Sequence, residues 1–206
     1  MAVAATGTPV VVVLVGGSAV TSREWIDSVA AVLVAWYPGD AGGDAVADVL
    51  FGRSNPAGRL PMTWPVSEGQ LPLVYNHKPT GLGDDYLDLT GEPDFPFGHG
   101  LSYTTFEYSD LRITPDTVTP GDTAQVTFQV RNTGDRSGDE VVQLYVNDLL
   151  ASVARPVLEL KAFARVRNIA PGESRQVTLE LPVNRLAFLD QALEWTVEPG
   201  DFRLLV

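Results

Sequence analysis

Hydrophobic positions along this chain follow two different periods, and the change falls near Phe106. Before it, apolar residues come in unbroken runs: residues 9–15 (PVVVVLV) end on Gly16-Gly17, and residues 30–36 (AAVLVAW) end on Tyr37-Pro38-Gly39. Short β-branched runs bounded by glycine predict strands buried on both faces, as in a parallel sheet. The loop Gly16-Gly17-Ser18 then lies at a carboxyl strand end, where open α/β sheets bind ligands. Residues 24–29 predict a short helix with Thr21 or Ser22 at its cap. Asp40 predicts the cap of a helix running to Phe51, with Ala41, Ala45, Asp48 and Val49 at helical spacing and Gly52 as its stop. Asn55-Pro56-Ala57-Gly58 reads as a turn, and residues 60–64 as an extended edge segment.

After Phe106 the period becomes two. Ala124, Val126, Phe128 and Val130 alternate with Gln125, Thr127, Gln129 and Arg131, and residues 142–146 and 177–181 repeat the alternation. Such patterning predicts half-buried antiparallel strands. Pro120-Gly121-Asp122, Pro171-Gly172-Glu173 and Pro199-Gly200-Asp201 share one turn chemistry: proline presets the first corner, glycine accepts positive φ at the second. About seven strands in about 100 residues predict an immunoglobulin- or fibronectin type III-like β-sandwich.

The fold class expected is thus α/β followed by all-β: a partial parallel-sheet α/β remnant over residues 1–65, an interdomain connection over 66–106 and a β-sandwich over 107–206. Two strands and one or two helices cannot cover both faces of a parallel sheet. The expectation is that the missing half of this sheet lies upstream of Met1. Residues 66–106, rich in Gly, Pro, Asp and Tyr, read as a segment packed against the protein rather than a free linker.

Composition narrows the function classes. A net charge of −12 and pI near 4.4 argue against nucleic acid, because phosphate binding needs clustered Lys and Arg. The chain has no cysteine, which excludes disulfides and thiolate metal sites. The run at 10–15 is too short for a membrane span and has no basic residue before it, so no membrane partner and no targeting segment are read in this chain.

Candidate chemistry is sparse. Asp40, Asp44 and Asp48 fall at i, i+4 and i+8, which suits either an acid pair or hard-metal site or, as the favoured reading, a cap with dipole-complementing acids. Glu24, after a glycine loop at a strand end, is the most plausible single functional acid, with a first-turn helix acid as the favoured reading. His77 and His99 make no zinc spacing, so no metal and no cofactor are expected. Trp36 and Tyr37, at a strand end, are the best sugar-facing aromatics, and His77 in YNHKPTG is the third substrate-binding candidate. Trp64, Tyr75 and Tyr86 read as core or interface aromatics.

Longer motifs carry a resemblance. The run VLVAWYPGDAGGDAVADVLFGRSNPAGRLPMTWP, then LPLVYNHKPTG and FPFGHGLSYTTFEYSDL, resembles the carboxyl-terminal part of glycoside hydrolase family 3, nearest to bacterial β-glucosidases. GDEVVQLYVND, RPVLELKAFARV and EPGDFRLLV resemble that family's fibronectin type III-like domain. The resemblance implies retaining, exo-acting cleavage of terminal β-linked sugars by two carboxylates. It also implies that neither carboxylate is in this chain. The nucleophilic Asp belongs to an amino-terminal barrel, in a Ser-Asp-Trp-like stretch that does not occur here, and the acid/base Glu precedes the strand at 9–15. No catalytic residue is therefore assigned, and the chain alone is expected to be inactive. The implied partners are a β-linked oligosaccharide or glucoside and the upstream barrel and half-sheet; the sequence leaves open whether the chain forms a homo-oligomer. The family is often exported, so a periplasmic or secreted location suits the full-length enzyme. YNHKPTG is often followed by Arg in the family, whereas Leu82-Gly83 follows here. The alternative reading is a non-catalytic structural, carbohydrate-binding or oligomer-forming module.

Overall fold

A computed structural model describes residues 2–80 and 85–206, and the contrast of Leu82-Gly83 with the family's Arg lies outside them. The chain forms two compact units. The first holds the described residues up to Ser54, Leu60–Val74 and 85–99; the second holds Asn55–Arg59, 75–80 and Gly100–Val206.

In the first unit, β1 (Val11–Val15) and β2 (Ala31–Trp36) pair in parallel, Val11 opposite Ala31. Both runs form the strands their composition predicts. They are half-buried rather than buried on both faces: Val11 is 48% and Val15 63% exposed. The reason is coverage, since one nine-residue helix, α1 (Gly42–Leu50), accompanies the pair. α1 starts one residue later than expected, with Ala41 rather than Asp40 at its N-cap and no side-chain cap, so Asp40 lies outside the helix. Gly52 ends it with φ 72°. The expected helix at 24–29 is only a 3-10 turn, Ile26–Ser28, and the Ser22 hydroxyl donates to the Asp94 carboxylate instead of capping.

The glycine- and proline-rich stretch that follows is pinned by specific bonds. Leu60 N donates to His99 O (2.8 Å), Gly98 N to Leu60 O (2.8 Å) and Trp64 N to Phe95 O (2.8 Å). The expected extended segment 60–64 is instead bent at Pro61 and Met62, with a single antiparallel bridge from Trp64 to Phe95. Buried Gln70 accepts from Val66 N (2.7 Å) and donates to Thr90 O (2.9 Å) and Glu92 O (3.1 Å). One side chain thereby satisfies three backbone groups of an irregular segment, which would otherwise need water.

In the second unit, two three-stranded antiparallel sheets carry the core. One has the order β3 (Phe106–Thr114), β4 (Thr123–Asn132), β7 (Ser174–Pro182); the other has β10 (Phe202–Leu205), β5 (Gly138–Asp148), β6 (Glu159–Ile169). A small hairpin of β8 (Phe188–Leu189) and β9 (Trp195–Thr196) completes it. Val126, Phe128, Val130, Val142 and Leu144 are at most 2% exposed, the inward set that the alternation predicts. Each such side chain contributes roughly 1.5–3 kcal/mol on burial.

Two of the three proline-glycine turns behave as expected. Gly121 (φ 99°) and Gly172 (φ 76°) occupy the left-handed corner, and Asp122 N and Glu173 N return bonds to Thr119 O and Ala170 O. Gly200 has no positive φ, so the third turn differs. Asn55-Pro56-Ala57-Gly58 is not a turn but irregular chain, held where Asn55 Oδ1 accepts from Tyr103 N (2.8 Å) and Ser102 Oγ (2.9 Å).

Turn carboxylates give the unit an acid-sensitive term. Hydrogen bonds from the Thr119 backbone and hydroxyl hold Asp122 below its ordinary 3.8, and the Arg175 guanidinium with Ala170 N holds Glu173 below its ordinary 4.5. A depressed folded pKa adds stability that is complete above the unfolded value and is lost as pH falls through the folded one. The melting temperature should therefore drop below about pH 4.5, and less steeply in Asp122→Asn and Glu173→Gln. An equal acid slope in both variants would remove these turns as its source.

Candidate functional site

The carboxyl end of the β1–β2 pair is built by an irregularity. Register slips between Leu14 and Val15, so that Val15 faces Trp36 and Ala35 is skipped. Trp36 takes φ 53°, a conformation costly for a bulky side chain, by about 1–3 kcal/mol, and most often found at functional sites. Its carbonyl accepts from Gly16 N (3.1 Å), and its ring meets Trp64 edge-on at 6.3 Å. The kink delivers Tyr37 onto the Gly16-Gly17 loop. A Cβ on Gly17 would lie 2.7 Å from the Tyr37 ring, so a larger residue there would push the ring aside. Tyr37 nevertheless keeps 78% of its surface open.

Trp36 and Tyr37, neighbours in sequence, have different surroundings: the Trp36 ring meets Trp64, and the Tyr37 ring lies over Gly17. His77 belongs to the second unit. It is half-buried, its Nδ1 lies 3.0 Å from Lys78 O, and its carbonyl accepts from Val157 N (2.9 Å). His99 packs at 5.0 Å from the Phe95 ring, the structural role expected of it. Tyr75 packs edge-on to Tyr145 (6.2 Å) and its hydroxyl accepts from Leu160 N (3.1 Å), a packing role as well.

The other carboxylates disperse. Glu24, Asp40 and Asp44 are exposed, and Asp48 pairs with Arg53 at 2.8 Å. With Asp40 outside the helix, the three aspartates do not share one helical face. Among the described residues no group of three or more His, Asp or Glu side chains could hold a metal ion. Also among them, no helix is long and apolar enough to cross a membrane.

Pattern reading overlooked how the loop after β1 is held. Trp64 Nε1 donates to Val20 O (3.0 Å) and Trp25 Nε1 to Thr21 O (3.2 Å), while Ser22 is tied to Asp94. Two tryptophans and a serine therefore fix residues 20–22. The spacing of Trp25 from Thr21, one turn apart, was the only local signal. The other partners are 44 and 72 residues away.

Comparisons with known proteins bear on the same stretch. The profile of the glycosyl hydrolase family 3 C-terminal domain matches residues 1–103, and that of the fibronectin type III-like domain residues 140–206. The chain is 38% identical to the periplasmic β-glucosidase of Salmonella typhimurium, with 100% of the chain and 28% of that protein aligned. It is 41% identical to a β-xylosidase of Formosa agariphila, over 98% of the chain and 28% of the relative. A β-glucosidase of Listeria innocua, crystallised with glucose, superposes with a TM-score of 0.91 at 39% identity, over 98% of this chain and 29% of that one. The chain therefore spans little more than a quarter of the length of these relatives. It belongs to glycoside hydrolase family 3, and carries that family's C-terminal domain followed by its fibronectin type III-like domain.

Proposed function

We propose that this chain is the C-terminal portion of a retaining, exo-acting β-glycosidase that releases terminal β-linked glucose or xylose, with both catalytic carboxylates supplied from outside it. The observation that carries this is the match along essentially the whole chain to β-glucosidases and a β-xylosidase of which it spans 28%. In this reading residues 1–65 complete the α/β domain, 66–106 connect, and 107–206 form the sandwich. The exposed Tyr37 ring, aimed by the strained Trp36, stacks on a sugar face, and His77 is a separate candidate for a polar sugar contact. Substrate is a β-linked oligosaccharide or glucoside, and the structural partner is the upstream barrel and half-sheet.

The test is replacement. The chain is fused in place of the matching segment of the Salmonella β-glucosidase, and hydrolysis of p-nitrophenyl β-D-glucoside is measured. The chimera should turn over and the chain alone should not. Tyr37→Ala in the chimera should raise KM roughly tenfold with kcat little changed, as loss of one aromatic stacking contact predicts. Turnover by the purified chain alone, or a folded but inactive chimera, would overturn the reading.

A further inference from the structure

The orientation of Tyr37 has two determinants, and both converge on one indole. Its ring lies over Gly17, in the loop after β1, and its backbone follows from the left-handed Trp36 at the end of β2. Trp64 bears on both. Its Nε1 donates to Val20 O (3.0 Å), three residues beyond Gly17, and its ring meets the Trp36 ring edge-on at 6.3 Å. Trp64 is itself fixed: it is 3% exposed, its backbone N donates to Phe95 O (2.8 Å) and its carbonyl accepts from Asp94 N (2.9 Å). The Asp94 carboxylate returns to the loop by accepting from the Ser22 hydroxyl. Trp64, Val20, Ser22 and Asp94 thus close a circuit of backbone and side-chain bonds within the first unit.

A buried tryptophan with a satisfied N–H is ordinarily core packing. What sets Trp64 apart is the state of the residue it touches. A bulky side chain at φ 53° persists only where its surroundings over-determine it. At Trp36, Gly16 N donates to the carbonyl (3.1 Å) and the Trp64 ring bears on the side chain. Without that ring, a backbone relaxing toward ordinary strand geometry would re-aim the next residue, because successive strand side chains alternate between faces. We infer that Trp64 is a positioning residue: it holds the left-handed turn at Trp36 and the loop beneath Tyr37, and so aims the Tyr37 ring. This role rests on the reading of Tyr37 as the stacking residue given above, and Trp64 acts through Tyr37 rather than on the sugar.

Two measurements test it. In the full 206-residue chain, amide hydrogen exchange is followed by NMR in wild type, Trp64→Phe and Trp64→Leu. Exchange at Gly16 should quicken about tenfold in Trp64→Leu and less in Trp64→Phe, which keeps a ring beside Trp36. Amides of the β1–β2 ladder should keep their rates. In the chimera with the Salmonella β-glucosidase, Trp64→Phe should raise KM about fivefold with kcat little changed, since misaiming a contact costs no more than removing it. In the Tyr37→Ala background the same change should leave KM where it is. Unchanged exchange at Gly16 overturns the positioning role, as does a uniform quickening across β1 and β2, which loss of core packing alone would give. A Trp64→Phe effect on KM that adds to that of Tyr37→Ala also overturns it. A wild-type chimera that folds without turnover removes the reading of Tyr37, while the exchange rates still decide whether Trp64 sets the strand end, so the two fail separately. Trp64→Phe carries both measurements should Trp64→Leu not fold.

Discussion

Asn132→Ala is expected to lower the stability of the second unit by about 3–5 kcal/mol, read as a fall in the urea midpoint at an unchanged m-value. Asn132 is fully buried at the end of β4, and its side-chain amide is satisfied at every position. Oδ1 accepts from Thr104 Oγ1 (2.6 Å) and Gly134 N (3.0 Å), while Nδ2 donates to Arg136 O (2.7 Å) and Ile169 O (2.8 Å). Truncation strands four partners, three of them backbone groups, and an unmade buried bond costs more than a made one contributes. Asn132→Asp is the sharper control. It keeps both acceptors but turns a carboxylate toward the carbonyls of Arg136 and Ile169, so it should destabilise at least as much as the alanine. A loss under about 1 kcal/mol in Asn132→Ala would mean that water replaces the amide, and that the network contributes little.

Asn132 also shows how far the sequence could be read. The two-residue period of β4 places Ala124, Val126, Phe128 and Val130 inward, and continuing the count places Asn132 in the core. Glu140 enters the inward set of β5 in the same way, ahead of Val142 and Leu144. A polar residue on an apolar face was therefore legible as an exception, but its partners were not. They come from the loop at 133–136, from β6 and from Thr104, and no local pattern links these. The same division holds in the first unit. The strands and α1 follow from composition, whereas the left-handed Trp36 follows from a register slip that propensity does not encode. Ser22 met the sequence rule for a cap and was taken by Asp94, a tertiary partner at a distance no cap rule covers. Two of three Pro-Gly corners were read correctly because the turn is local. The third departs where Gly200 precedes β10, whose pairing with β5 sets the backbone. Tyr37 was legible as an aromatic at a strand end, while the fixing of residues 20–22 depends on Trp64 and Asp94, 44 and 72 residues away, which pattern alone leaves unseen.

The second large effect is expected at Glu140. Its carboxylate is nearly buried, with Oε2 2.7 Å from Arg59 Nη2 and Oε1 accepting from the Tyr108 hydroxyl at 2.7 Å. Burial, together with the adjoining Glu140 carboxylate, pushes the Tyr108 phenol above its ordinary range, which favours its role as the hydrogen-bond donor. Tyr108 in turn stacks on the core residue Phe128 at 5.9 Å, which links the charged group to the packing beneath it. Arg59→Met removes the cation and leaves a desolvated carboxylate with one neutral donor. Breaking a buried pair in this way costs about 3–5 kcal/mol. Replacing the whole group by apolar residues of similar size is a different matter, because the desolvation of both charges disappears with them. The triple change Arg59→Met, Glu140→Leu, Tyr108→Phe is therefore expected to unfold within about 1 kcal/mol of wild type. A double-mutant cycle on Arg59→Met and Glu140→Leu should show a coupling above about 2 kcal/mol, since the pair is in direct contact. Additive effects in that cycle would show the pair to be solvent-screened, and a triple variant as unstable as Arg59→Met would show that the cost lies in packing and not in charge.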